Sequence, residues 1–457
     1  MSFGADCLIN KLNGCIAGLG ADITTACDYA QVGGSLNSLE NASFSVPNLN
    51  SLPSAQDNEG RFVYVEDIKS FRYSDGYLWT KDACSVLGDP STNAGLWSWG
   101  GFTVNDTCRC SPGTTIASNA SWCWVDASSS GGVAVMAIKT DGTLWTRGSN
   151  GEGILGDGTT IDRCSPGTVA GGGTTWCQVS VSNRFAAALK TDGTLWTWGC
   201  NRNAGLLGNG GVEIIRCSPG TVAGGGTTWC QIRTAYNHTS AVKTDGTLWT
   251  WGCNSNGILG DGTTVCKCSP GTVAGGGTTW CQVSNGFYHS MAIKTDGTLW
   301  TWGCNNFGQL GEGTVVSRCS PGTVAGGGTT WCQISSGRCH GAAIKTDGTL
   351  WTWGSNFNGV LGNGFGSTDR CSPGTVAGGG TTWCRLGITA AITSAAAIKT
   401  DGTLWTWGGN QAAALGDGTI TARCSPGTVI GSGNLWCMVT GGLNGNSNMF
   451  AIRTRGF

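Results

Sequence analysis

Phe185-Ala-Ala-Ala-Leu-Lys-Thr-Asp-Gly-Thr-Leu-Trp-Thr-Trp-Gly199 is the stretch on which the fold turns. Two runs of apolar and β-forming residues flank Asp192-Gly193. That pattern predicts a hairpin with a type I′ turn, which needs positive φ at both central positions. The same turn recurs at Asp141, Asp245, Asp296, Asp347 and Asp401. Its second half, Leu-Trp-x-Trp-Gly or a near variant, begins at Leu96, Leu144, Leu195, Leu248, Leu299, Leu350 and Leu404, in steps of 48 to 54 residues. A period of that length belongs to propellers and solenoids.

Working outward from the hairpin, TTWCQVS (174–180) supplies a third strand. RCSPGTV (163–169) supplies a fourth within the same unit, and its Pro166 suits only a sheet edge. Four strands per unit make one propeller blade. The segment FAIRTRGF from Phe450 repeats the first half of the hairpin without the second, and NAGLWSWG (93–100) supplies a second half without the first. The last blade is therefore expected to join strands from both ends of the repeats, which leaves no open sheet edge. The expected fold is all-β: a seven-bladed propeller over 91–457, preceded by a non-repeat arm at 1–60 and a short β-hairpin segment at 61–90 around Asp75-Gly76.

One unit carries Pro270, Trp280, Val283, Gly286, His289, Asp296-Gly297, Trp300, Trp302-Gly303, Asn305, Gly308 and Leu310-Gly311 in order. In this the chain resembles the regulator of chromosome condensation repeat family, over roughly residues 91 to 457. The resemblance implies a seven-bladed propeller, and its known roles include nucleotide exchange and enzyme inhibition. Light sensing, which in the family uses tryptophans within the Gly-x-x-His segment, is not expected: AYNHT (235–239), GFYHS (286–290) and GRCHG (337–341) contain none. Residues 60–82 also resemble β segments of phage virion and tail-associated proteins.

Charged residues are 12% of the chain and the net charge is −1, so nothing marks an electrostatic footprint for nucleic acid. No apolar run is long enough for a membrane span, and the first residues lack the pattern of a secretory signal. Of 24 cysteines, fourteen fall into pairs thirteen apart: Cys110/Cys123, Cys164/Cys177, Cys217/Cys230, Cys268/Cys281, Cys319/Cys332, Cys371/Cys384 and Cys424/Cys437. One pair per blade is expected to form a structural disulfide across a glycine-rich loop, against the rival readings of buried thiols and zinc. Cys7, Cys15, Cys27, Cys84, Cys108, Cys200, Cys253, Cys266, Cys304 and Cys339 have no partner deducible from spacing.

No catalytic grouping, metal site or cofactor motif stands out. The Leu-Gly-Asp-Gly-Thr loops at Asp157, Asp261 and Asp417 offer too few oxygens for calcium. The segment after TTWCQ varies from unit to unit and contributes Arg184, Phe185, Tyr236, Asn237, His238, Phe287, Tyr288, His289, Arg338 and His340 as a candidate binding face. Aromatics and arginine there are the residue types of interaction hot spots, whereas the three histidines are expected to be structural.

Disulfides imply an oxidising environment. The leading expectation is a non-enzymatic structural or adhesive protein on a phage virion surface or tail. It would be oligomeric in its assembly, docking on virion subunits through residues 1–60 and presenting the propeller to a host-surface protein or glycan. The alternative is an intracellular interaction propeller of the nucleotide-exchange or enzyme-inhibitor kind.

Overall fold

The computed structural model describes residues 134–453 except 203–204, 212, 390–392, 411–412, 431–432, 434 and 442–448. It also describes 122–128 and the strands Ser45–Val46, Phe62–Val65, Ser70–Ser74, Trp79–Lys81, Gly95–Gly100 and Arg109–Thr114. Residues 45–81 contribute one four-stranded sheet. The rest of the expected arm lies outside the described residues.

Seven blades follow one another around a ring. The first six span 122–168, 176–221, 229–272, 280–323, 331–375 and 383–428, each an antiparallel sheet of four strands. The seventh sets Trp436–Gly441 and Met449–Arg453 beside Gly95–Gly100 and Arg109–Thr114, with the short strand Ile388–Thr389 added parallel at its inner edge. Met449 pairs with Trp99 and Arg453 with Gly95, so the ring closes by the mixed blade that the two half-hairpins require. The first strand of each blade lies innermost, against the first strands of its neighbours, and Ile388–Thr389 makes that contact between the sixth blade and the seventh.

Each blade's apolar residues meet those of the next. Ala187, Leu189 and Leu195 of the second blade pack with Trp229, Ile232, Ala241 and Trp251 of the third. The second tryptophan of Leu-Trp-x-Trp-Gly crosses the interface: Trp302 Nε1 donates to Ile258 O of the preceding blade at 2.9 Å, and Trp198, Trp251, Trp353 and Trp407 do the same. Gly260 must lack a side chain here, because a Cβ would lie 2.6 Å from that indole nitrogen.

Two expectations change. The Asp-Gly hairpin is not a two-residue I′ turn. Gly193 N donates to Lys190 O and Lys190 N to Thr194 O, which makes a three-residue loop, and only the glycine has positive φ. Asp192 instead accepts from Thr194 N and Oγ1, and Thr194 Oγ1 accepts from Trp196 Nε1 at 2.9 Å. The second change concerns the proline-bearing strand. Arg163–Thr168 pairs with Leu144–Gly148 of the preceding hairpin, and only then does the glycine-rich loop cross to Trp176.

That crossing separates the expected disulfide partners wherever both side chains are described. Cys217 lies on the outer strand of the second blade, where a Cβ on Gly153 of the first blade would sit 2.9 Å from its Sγ. Cys230, thirteen residues on, packs into the cluster between the third and fourth blades. Cys268, Cys319, Cys371 and Cys424 face back in the same way, onto Gly205, Gly257, Gly308 and Gly359. Cys281, Cys332, Cys384 and Cys437 face forward into the clusters between later blades. Cys164 has a free, exposed thiol, on the outer strand of the first blade, whereas Cys177 packs between the second and third. Cys123 hydrogen-bonds the carbonyls of Ile138 and Lys139, and the side chain of Cys110 lies outside the described residues. A thirteen-residue spacing therefore spans two interfaces rather than one loop.

Candidate functional site: an aromatic loop face and a polar channel

The loops from first to second strand of the second to fifth blades lie on one face of the ring. They carry Arg184, then Tyr236 and Asn237, then Phe287 and Tyr288, then Arg338. Tyr236 stacks on Phe287, with centroids 4.1 Å apart and planes at 20°. Tyr288 meets the same ring edge-on at 4.6 Å, and the Arg338 guanidinium sits 5.1 Å from its centroid. One plateau thus crosses three blades. Phe287 is only 5% exposed, buried beneath neighbours that themselves remain half-exposed. An arginine held against an aromatic face beside two tyrosines suits a protein surface, since each side chain offers apolar area with a polar tip.

The remaining sequence candidates do not join it. Phe185 is buried with Leu206 and Leu207. Arg184 lies 3.8 Å from Glu152, at the rim. His238, His289 and His340 are all buried. They explain the Gly-x-x-His spacing: a Cβ on Gly286 would lie 2.3 Å from His289 Cε1, and one on Gly337 2.0 Å from His340 Cε1. His238 Nε2 shares a 2.9 Å hydrogen bond with Ser290 Oγ, while neither ring nitrogen of His289 has a protein partner. Burial pushes all three imidazoles down, His238 and His340 to about 4 and His289, beside the other two, to about 3. They are neutral supports beneath the plateau rather than contact residues.

The central channel holds residues that the sequence reading passed over. Gln178 bridges to Ile232, Gln231 to Val283, Gln282 to Ile334 and Gln333 to Leu386, each side chain holding the next blade's inner strand. Arg385 takes that position in the sixth blade and donates to Cys437 O. Asp126 accepts from Ala127 N, from Val181 N of the second blade and from Thr440 Oγ1 of the seventh. Burial pushes its carboxyl up to about 6, against those hydrogen bonds and the charge of Arg233. Arg233 lies 5.7 Å from the Trp124 ring, two blades away. The available signal was the departure of Trp124, Asp126, Arg233 and Arg385 from a strand that otherwise reads Trp-Cys-Gln-Val-Ser or Trp-Cys-Gln-Ile-Ser.

On the outer part of the same face the Leu-Gly-Asp-Gly loops close on themselves. Asn254 Nδ2 donates to Asp261 Oδ1 at 3.0 Å, and Lys267 Nζ lies 2.8 Å from Asp261 Oδ2. Burial resists ionisation of Asp261, but hydrogen bonds from Lys267, Thr263 and Asn254 prevail and hold its carboxyl at about 2. Asp157 and Asp417 are engaged alike by Arg163 and Arg423. Their oxygens serve the loop itself.

A family profile described as RCC1-like domain matches residues 86–446. The ultraviolet-B receptor UVR8 of Arabidopsis thaliana is 33% identical over 244 residues, covering 52% of this chain and 54% of the receptor. RUG3, a mitochondrial RCC1 domain-containing protein of the same plant, is 30% identical over 240 residues, covering 49% of this chain and 52% of RUG3. The chain thus spans about half the length of these relatives. Among solved structures, Prp20p of Saccharomyces cerevisiae superimposes with a TM-score of 0.69 at 17% identity, over 80% of this chain and 92% of that one. Human WBSCR16 gives 0.68 at 20% identity, over 80% and 100%. At such identities the structural likeness concerns the fold alone. These findings overturn the expected phage virion component and its virion or extracellular location: the relatives are cellular proteins, including a receptor and a mitochondrial protein. Docking on virion subunits and on host glycans falls with that expectation.

Proposed function

The chain belongs to the RCC1-like domain family, and from that membership we propose that it is an intracellular regulatory propeller that binds a protein partner through the Tyr236–Phe287–Arg338 plateau. The stack carries this reading: Tyr236, Tyr288 and Arg338 stay half-exposed while locked by a buried ring, so little side-chain freedom is lost on association. Asn237 lies beside Tyr236 on the same loop. Relatives support the class of partner. Prp20p has binding properties toward Gsp1p and histones, and the same protein has been solved with Kap60 bound. A reducing compartment fits the ring, because the paired cysteines of the repeat lie on separate interfaces and ask for no oxidant.

Tyr236→Ala combined with Arg338→Ala tests the reading. Proximity labelling from the full chain in cells, followed by affinity measurement on the purified pair, is expected to show at least about 30-fold weaker binding, a loss of ~2 kcal/mol. Unchanged affinity with an intact fold would place the interface elsewhere.

A further inference from the structure

We infer that Cys253 and Cys266 form a reversible disulfide that staples the outer loop of the third blade. The loop leaves the third strand, Leu248–Gly252, and returns into the fourth, Lys267–Thr272. The antiparallel register pairs Gly252 with Lys267. Continued by one residue it sets Cys253 opposite Cys266, as Cys200 lies opposite Ile215 in the second blade. Directly opposed residues have Cα atoms about 4.5–5.5 Å apart, inside the roughly 4.4–6.8 Å window of a disulfide. The two thiols are close enough for each to shift the ionisation of the other.

Comparison among blades sharpens the assignment. Asn254 N donates to Cys266 Sγ at 3.3 Å. The matching amide finds an oxygen elsewhere: Asn150 N on Asp162, Asn305 N on Ser317 and Asn356 N on Asp369. The residues opposite those acceptors are Ser149, Cys304 and Ser355. Among the described blades only the third has cysteine on both sides. Cys266 is exposed and Cys253 half-buried, so an oxidant in solution reaches them. Burial disfavours the Cys253 thiolate, but hydrogen bonds from Ser255 and Cys266 prevail and bring the thiol below its ordinary value, which makes Cys253 the attacking sulfur.

A low-molecular-weight disulfide such as oxidised glutathione serves as oxidant. The Cys253 thiolate attacks one of its sulfurs, forming a mixed disulfide and releasing one glutathione thiolate. Cys266 gives its proton to water and attacks the Cys253 sulfur, forming the Cys253–Cys266 bond and releasing the second glutathione. Two protein thiols are oxidised and one glutathione disulfide is reduced to two thiols. Exposed disulfides of this kind are the ones cells reduce again. The staple fixes residues 254–265, including Asp261 and the protruding Val265, on the same face as the aromatic plateau. The assignment does not depend on what that plateau binds.

The test uses the full chain, reduced and then equilibrated across glutathione buffers of rising oxidised fraction, quenched in acid, alkylated and mapped by mass spectrometry. The expected result is a Cys253–Cys266 linked peptide lacking both alkyl groups and reversed by dithiothreitol. Cleavage within 254–265 by a non-specific protease should slow about tenfold in the oxidised form, and Cys253→Ser or Cys266→Ser should abolish that slowing. Both cysteines alkylated throughout, glutathione retained on Cys253, or Cys266 joined to Cys268 would each overturn the proposal.

Discussion

Single residues fix this ring by what they exclude. Gly260 has φ of 68° and a Trp302 nitrogen 2.6 Å from where its Cβ would be. Gly260→Ala therefore meets strain and a clash together, and a loss of about 2–4 kcal/mol is expected by urea denaturation. Asp126 acts through its protonation state. Its folded pKa, about 6, stands above the ordinary 3.8. The favoured state is thus protonated: its contribution is complete below the unfolded value and lost as pH rises through about 6. Stability of the wild type relative to Asp126→Asn should fall by roughly 2 kcal/mol between about pH 4 and 7, and a flat difference across that range would refute the burial argument. Neither residue was equally visible in the sequence. Gly260 recurs in the first six blades, from Gly156 to Gly416, whereas Asp126 is one departure from a repeated strand, and only the closed ring brings Thr440 to it.

At the scale of the element, the loops between first and second strands join a buried support to an exposed plateau. The histidines behave oppositely to Asp126. Their folded pKa values lie below the ordinary 6.5, so their contribution is complete above that value and lost as pH falls toward about 4. His289→Leu, close in volume, should make the loss of stability between pH 7 and about 4.5 smaller by up to about 2–3 kcal/mol; thermal unfolding at the two pH values measures it. The structural part of Gly-x-x-His was readable because glycine and imidazole recur at fixed spacing. The plateau was readable only as a set of residue types. That Tyr236, Phe287 and Arg338 meet depends on the angle between blades, which no spacing encodes. Phe185 belonged to the same variable segment yet turned inward, because Leu206 and Leu207 offer it a pocket.

For the molecule as a whole, the period and the two half-hairpins were enough to predict seven blades and the mixed seventh one. The error was one of phase. Grouping the proline strand with the following tryptophan strand left the number of blades intact but misassigned the cysteine pairs whose two side chains are described, and with them the oxidising home. Local spacing reports chain distance, and a propeller's crossing loops are where short chain distance and shared interface part company. The closing blade also sets a stability test. Glycine or proline substitutions at Phe450 and Ala451, which pair with Ser98 and Trp97, should turn a single cooperative transition into a broader one by calorimetry, because an opened ring lets blades unfold in sequence.

The same seam has a meaning in time. During synthesis, Gly95–Gly100 leaves the ribosome early and Met449–Arg453 only after the other six blades. The first strand of the seam, paired on one side with Arg109–Thr114, must wait with its other edge unmatched for nearly the whole repeat region to be translated. Until then the nascent chain is an open arc with two adhesive edges, and its safety rests on how quickly the rest of the repeat region is made or on what shields those edges meanwhile.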